Sequence, residues 1–278
     1  MTSFDPAAAT FPSSAELRDL AVDVAREAAA LVAHGRATAA DSVDVKSSPV
    51  DVVTAVDRAS EELIVARLSA ARPDDGVLGE EGASRAGTSG VRWVIDPIDG
   101  TVNFLYGVPA YAVSIAAEVD GVVRAGAVLN VATGELFTAT SGGGAYLSSP
   151  ALARPLLLQG SSPVSLEQTL VATGFSYQAE QRRAQGAVVA RLLPQVRDIR
   201  RFGSSALDLC AVAAGRVDAY YELELHAWDH AAGALVAAEA GLVVTGLPGR
   251  PFADPMAIAV APSIAEQFVE LIAGVYTS

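Results

Sequence analysis

The chain has 278 residues, 51% of them apolar, and a formal net charge of −13. That length holds one large domain, or two that share a core, with ample apolar surface to bury. So acidic a balance excludes broad nucleic-acid binding, which needs a basic face, and no uncharged apolar run reaches the 18 residues of a membrane span.

Cys210 is the sole cysteine. An intrachain disulfide and a cysteine-built zinc site are therefore ruled out, and a reducing, cytoplasmic setting fits. Lys46 is the sole lysine; the other basic residues are arginines. The opening MTSFDPAAATFPSS has neither a basic n-region nor an apolar h-region, and residues 1–12 read as a flexible tail.

Ser13 and Glu16 form a capping-box pattern, and Leu17, Leu20, Ala21, Val24, Ala28 and Leu31 recur behind them at helical spacing, with Gly35 as the stop. A second helix is predicted from about Thr54 to Ala71, with Val56, Ala59, Leu63 and Ile64 on one face and Pro73 ending it. GVLGEEG reads as a short strand breaking into a loop, and VRWVID as another strand. Three strand-like runs follow, AVSIAAEV, VVRAGAVLNV and ELFTAT, punctuated by Asp120-Gly121 and Thr133-Gly134 as hairpin turns would be. SGGGAYL leads out of this meander. Beyond a border expected between Leu147 and Gln159, elements alternate: LVATGF is a strand, 179–193 a helix, SALDLCAVAAG a helix and VDAYYEL a strand. DHAAGALVAAEAG is then a helix, LVVTG and AIAVAP are strands, and about 263–273 is a last helix. A meander followed by β/α alternation predicts layered α and β in two subdomains, 13–150 and 151–278.

Three acidic segments stand out. In WVIDPIDGTVNF, Asp96 ends a strand, Pro97 fixes a turn, and Asp99 returns toward the same point with the Ile98 carbonyl between them; Gly100 permits close backbone approach. Hard cations such as Mg²⁺ take such oxygen ligands, although every residue type in DPIDG also suits a plain turn. LGEEG sets Glu80 and Glu81 after an apolar strand, where a solvated loop is the simpler reading. WDHAAGALVAAEAG places Asp229 as a helix N-cap, a role that Asp fills well.

Taken together these segments resemble the inositol monophosphatase family, the magnesium-dependent, lithium-sensitive sugar phosphatases. DPIDGTVNF, WDHAAG and GEEG match the family's motifs, supported by KSSPVDVVTAVD (Lys46 to Asp57) and DAYYE (Asp218 to Glu222), in the family's order from about Leu17 onward. The resemblance implies a layered αβαβα sandwich of the sugar-phosphatase type. It implies two or three Mg²⁺ ions held by Glu80, Asp96, the Ile98 carbonyl, Asp99 and Asp229, with Glu80, Thr101 and Asp57 serving catalysis and the last two orienting the attacking water. Such cations would reverse the local sign for an anionic substrate. Phosphate is expected on the N–H groups of Gly100 and Thr101, at a helix start. Asp99, Gly203, Ser204, Ser205, Glu222 and Asp229 would contact the alcohol half. Ser204-Ser205 stands where the family often has Thr-Ala, and the pair also suits a helix cap.

The implied activity is hydrolysis of myo-inositol 1-phosphate by a metal-activated water. Histidinol phosphate, fructose 1,6-bisphosphate and 3′-phosphoadenosine 5′-phosphate are rival substrates. A partner-binding or regulatory protein on the same fold, and a metal-dependent nuclease, are rivals of another class. The expected partners are a small phosphorylated polyol and a second copy in a homodimer, with no nucleic acid and no membrane. His226 and His230 are poor Mg²⁺ ligands. His34 suits a helix end, Arg200 and Arg201 are expected to pair with acids rather than to bind phosphate, and Trp93 and Trp228 are expected to pack beside the ligands.

Overall fold

The structure, a computed structural model, describes residues 11–36, 43–48 and 51–277, with side chains over 11–36 and 55–276. Residues 1–10 of the expected tail and the Lys46 side chain lie outside the described residues.

The chain opens with α1 (Ser14–Gly35), where Ser13 and Glu16 form the anticipated capping box. A hairpin of β1 (Val43–Ser48) and β2 (Asp51–Thr54) leads into α2 (Ala55–Ala71). Then come β3 (Gly76–Gly79), β4 (Ser84–Arg85), β5 (Val91–Asp99), the short α3 (Thr101–Tyr106), β6 (Ala112–Val119), β7 (Val122–Asn130), β8 (Leu136–Thr140), β9 (Gly144–Ser148) and β10 (Leu156–Leu157). The second half holds β11 (Leu170–Thr173), α4 (Ala179–Leu192), β12 (Asp198–Arg200), α5 (Ser205–Ala213), β13 (Ala219–Leu223), α6 (Ala227–Glu239), β14 (Val243–Thr245), β15 (Met256–Val260) and α7 (Ala265–Thr277). Among the described residues no helix is long and apolar enough to cross a membrane.

An eight-stranded sheet runs in the order β10-β9-β8-β7-β6-β5-β3-β4, and a five-stranded sheet in the order β12-β11-β13-β15-β14. Each is covered on both faces. On the large sheet, Trp93, Ile95, Val113, Ile115 and Ala117 pack under Leu17, Val24, Ala28, Ile64 and Leu68 of α1 and α2. Their neighbours Val94, Ala112 and Ala116 face Ala206, Cys210, Ala232 and Val236 of α5 and α6. The opposite side of α5 and α6 meets Ala172, Tyr220 and Ala259 of the small sheet, whose far face is covered by Leu192, Phe268 and Ile272. The result is an αβαβα sandwich. Double burial explains why AVSIAAEV reads as continuously apolar and not alternating.

The alanines and glycines of the middle helices set the layer spacing. A Cβ on Gly126 would come within 3.1 Å of the Ala232 Cα, and one on Gly233 within 2.9 Å of the Leu209 Cβ.

Beyond β1, β2, β4 and β10, which the sequence reading did not give, three elements differ from it. SGGGAYL does not simply leave the meander: Gly142 and Gly144 take φ of 75° and 80°, turning the chain into β9, which pairs with β8. β12, three residues at the edge of the small sheet, carries too little pattern to be seen in sequence. β5 does not stop at Asp96 but continues through Pro97 to Asp99.

Candidate metal centre and substrate cleft

That continuation brings the two aspartates together. In a regular strand, residues three apart point to opposite faces. Here Asp96 pairs with Ser114 while Asp99 pairs with Ala112, so three steps along β5 match two along β6. The extra residue is a bulge. Pro97, which has no N–H to give a ladder, sits within it. The bulge returns Asp99 to the face of Val94 and Asp96, the face covered by α5. There its Oδ2 accepts from the Ser204 hydroxyl (2.5 Å) and the Ala206 N–H (2.7 Å). Asp96 Oδ1 accepts the Ile98 N–H (3.0 Å).

β3 runs parallel to β5, with Gly79 opposite Ile95. Glu80 therefore leaves β3 beside Asp96, so the acids lie at the carboxyl ends of two adjacent parallel strands, where open α/β sheets form their clefts. Carboxylate oxygens of Asp57, Glu80 and Glu81 lie within 4.8 Å of one another. The Thr101 hydroxyl is within hydrogen-bonding reach of both Asp57 Oδ2 (3.2 Å) and the Ile98 carbonyl (3.1 Å). Gly100 takes φ of 93°, and a Cβ there would meet the Ala110 carbonyl at 2.8 Å. Asn103, nine-tenths buried, donates through Nδ2 to the carbonyls of Ala110 and Phe202 (2.7 Å each), tying this loop to the segment before α5.

The electrostatics follow from this crowding. Burial, then repulsion from Glu80, Asp99, Asp229 and Asp57, holds the Asp96 carboxyl well above the usual range. Burial pushes Asp99 up to about 6 against the pull of its Ser204 and Ala206 hydrogen bonds. Asp229 is raised by burial and by Asp99. Carboxylates that raise one another in this way form an oxygen-rich donor set suited to a hard cation, and the residues present fit Mg²⁺.

Asp229 is not the N-cap of its helix. α6 starts earlier, at Ala227 with His226 as cap, so Asp229 falls at N3 and its Oδ2 accepts the His226 N–H (2.7 Å). It thereby fills the acidic half of a capping box. Ser204 does cap α5, accepting the Leu207 N–H (3.3 Å), while the Ser205 hydroxyl donates to the Asp229 carbonyl (2.9 Å) and ties α5 to α6.

A cleft of 510 Å³ opens beside these acids, lined by Glu80, Asp99, Gly100, Gly203, Ser204, Ser205, Glu222 and Asp229 among others. All the expected substrate contacts thus meet in one cavity. Glu222 forms part of its wall, its Oε2 accepting the Tyr220 hydroxyl (2.7 Å). Burial raises its carboxyl to about 7, against the Tyr220 hydrogen bond and the Arg201 charge.

Other residues escaped the sequence reading. Glu81 joins Asp57 and Glu80, although the sequence reading named it without giving it a site role. Arg201 lines the cleft, whereas Arg200 pairs with Asp198 (2.6 Å). Asp208 is buried behind the cleft, and neither carboxyl oxygen has a hydrogen-bond partner among the described residues; burial and repulsion from Glu222 and Asp99 keep its carboxyl high. Trp93 is buried as expected, its Nε1 donating to Asp75 (2.9 Å), but Trp228 stacks on His226 (4.8 Å) in the cleft wall. His230 packs edge-on against Phe252, and burial depresses it to about 4, so it is neutral.

Gly174 is a further omission. A Cβ there would overlap the Glu222 carboxylate, so the bare backbone makes room for that side chain. On the activity that the sequence resemblance implies, Gly174→Ala is expected to displace Glu222 and lower kcat/KM on a polyol phosphate about tenfold while sparing a simple aryl phosphate. Steady-state kinetics on both esters would check it.

Comparison with known proteins agrees with this geometry. The model of the inositol monophosphatase family matches residues 13–275. The inositol-1-monophosphatase of Mycobacterium leprae is 48% identical over 268 residues, covering 90% of this chain and 91% of that protein. A protein from Escherichia coli K12 described as Nus factor SuhB is 40% identical over 234 residues, covering 83% and 85%. The solved structure of Mycobacterium tuberculosis SuhB superposes with a TM-score of 0.82 at 43% identity, covering 95% of this chain and 98% of that one. The bulged DPIDGT strand, the GEEG loop beside it and a match across nearly the whole chain lead to one conclusion: this chain belongs to the inositol monophosphatase family.

Proposed function

We propose that the protein is a Mg²⁺-dependent phosphomonoesterase that hydrolyses myo-inositol 1-phosphate to inositol and phosphate. The carrying observation is that the carboxylates of Asp57, Glu80 and Glu81 converge, that buried Asp96 is crowded by Glu80, Asp99, Asp229 and Asp57, and that Glu80, Asp99, Asp229 and Glu222 line one cleft. Glu80, Asp96, Asp99, Asp229 and the Ile98 carbonyl would hold two or three ions, with Glu81 adjoining. Mg²⁺ bound there would neutralise phosphate charge and acidify a water. Asp57 and the Thr101 hydroxyl would orient that water and hold its proton. The N–H groups of Gly100 and Thr101 would grip phosphate oxygens directly, since a helix as short as α3 adds little dipole. Asp229 and the Ser204–Ser205 turn would border the ring. A homodimer, a cytoplasmic location and a division into subdomains 13–150 and 151–278 belong to the same reading.

The test is a panel of phosphomonoesters, each assayed for phosphate release with and without Mg²⁺. Preference for inositol 1-phosphate supports the reading; preference for histidinol phosphate, fructose 1,6-bisphosphate or 3′-phosphoadenosine 5′-phosphate would reassign the substrate. The name of the Escherichia coli relative motivates a second reading, a partner-binding protein on this fold. No Mg²⁺-dependent release from any ester would favour it.

Glu222 is proposed to read ring hydroxyls. An unpaired buried polar group costs about 1–3 kcal/mol, so Glu222→Ala is expected to lower kcat/KM for inositol 1-phosphate by about ten- to a hundredfold. Nitrophenyl phosphate, which offers no ring hydroxyls, should be little affected. Because burial raises the carboxyl to about 7, it becomes a pure acceptor above that pH. The wild-type preference for inositol 1-phosphate should therefore rise as pH crosses 7, and the variant's preference should stay flat. Equal loss on both esters would move Glu222 into the catalytic machinery.

A further inference from the structure

The first two turns of α2 bury three polar side chains where an interior helix face is ordinarily apolar, as it is farther along at Ile64 and Leu68. Asp57, Ser60 and Glu61 are at most 6% exposed. Asp57 is reached by Thr101, and the Ser60 hydroxyl donates to the Pro97 carbonyl inside the β5 bulge (3.4 Å). Glu61, one turn beyond Asp57 on the same face, reaches the other acidic segment. Its Oε2 accepts the Glu81 N–H and its Oε1 the Ala83 N–H, each at 2.8 Å. The turn it fills is closed by Gly79 N–H donating to the Ala83 carbonyl (2.7 Å). Gly79 lies so close that a Cβ on it would overlap Glu61 Oε2. One helix therefore touches two of the three acidic segments, DPIDG and GEEG.

We propose that Glu61 is a positioning residue of the cation site: by gripping both N–H groups of the turn after β3, it holds Glu80 and Glu81 facing Asp57. The proposal rests on the metal-dependent reading given above. Glu61 itself touches neither cation nor substrate. Each of its oxygens serves a different N–H, so both must be acceptors. Glutamine supplies one acceptor and turns an NH₂ group toward the remaining N–H, a donor facing a donor. The turn would then release one strand of its grip, and the acids would lose their preset spacing.

Isothermal titration of the substrate-free, chelator-stripped protein with MgCl₂ tests this directly. Glu61→Gln is expected to raise the Mg²⁺ Kd at least about tenfold, the cost of one badly paired buried group. Its kcat at saturating Mg²⁺ should stay within about threefold of wild type. Glu61→Asp, too short to reach both groups, should fall between. Gly79→Ala keeps the carboxylate but displaces it, and should weaken Mg²⁺ similarly; it carries the test if Glu61→Gln does not fold. A variant with lowered thermal stability but wild-type Mg²⁺ affinity would overturn the proposal and leave Glu61 a merely structural acid. Absence of Mg²⁺ binding by the wild type would instead overturn the metal reading, and this proposal with it.

Discussion

Replacing Asp96 by asparagine is expected to abolish phosphate release, a loss of at least about a thousandfold, or roughly 4 kcal/mol of transition-state stabilisation. The circular dichroism spectrum should not change. Asp96 is 2% exposed and stands where repulsion from Glu80, Asp99, Asp229 and Asp57 converges on one carboxyl. That crowding is costly without a cation and useful with one. A neutral amide removes the charge that would bind the cation, yet it keeps the size of the side chain and an oxygen for the Ile98 N–H. The metal-free variant should therefore be no less stable than the metal-free wild type. Near-normal turnover at saturating Mg²⁺ would remove Asp96 from the site.

Chelation should have an equally large effect. Activity is expected to vanish in excess chelator, to return with Mg²⁺ and to be inhibited by Li⁺. Stability should report the same site without any turnover. Folding raises the Asp99 carboxyl from 3.8 to about 6, so the folded protein holds this proton more tightly than the unfolded chain does. Metal-free stability is then greatest at low pH as far as this group is concerned, and it falls as pH rises between about 4 and 6. Above that window, bound Mg²⁺ is expected to compensate the charge. At a hundred times its Kd it contributes about 2.7 kcal/mol, or roughly 5 °C or more in Tm for a chain of this size. Thermal melts in chelator and in Mg²⁺ at pH 4, 6 and 8 would show this. Indifference to Mg²⁺ at pH 8, together with full activity in chelator, would exclude the metal mechanism.

Most of the architecture is legible in the sequence, because double-sided burial writes itself into local composition. Continuous apolar runs marked β6, β7 and β8; glycine and aspartate marked their turns; alanine-rich helices marked the middle layer. The short pieces were not legible. A three-residue edge strand such as β12 has too few residues to show a period, and β9 begins inside a run of glycines that reads equally well as loop. The placement of Asp229 failed for a similar reason. Asp serves as N-cap or N3 almost interchangeably, and which one it takes depends on where His226 enters the helix.

By itself the sequence determined that acids occur at the ends of apolar strands, in motifs shared with one phosphatase family, and that Gly100 after Asp99 permits close backbone approach. It predicted from the Pro97 turn that Asp99 returns toward Asp96, but not the means, because alternation along an unbroken β5 would set the two on opposite faces. Only the pairing with β6 inserts the bulge that reverses it. Nor could it tell that Glu61 grips the Glu80–Glu81 turn, that Gly174 clears space for Glu222, or that Arg201 faces the cleft. Each of those contacts joins residues 20 to 48 positions apart or sets a side chain against a wall built from another segment. Local pattern records which face of an element is buried; what lies across from that face is decided when the layers close.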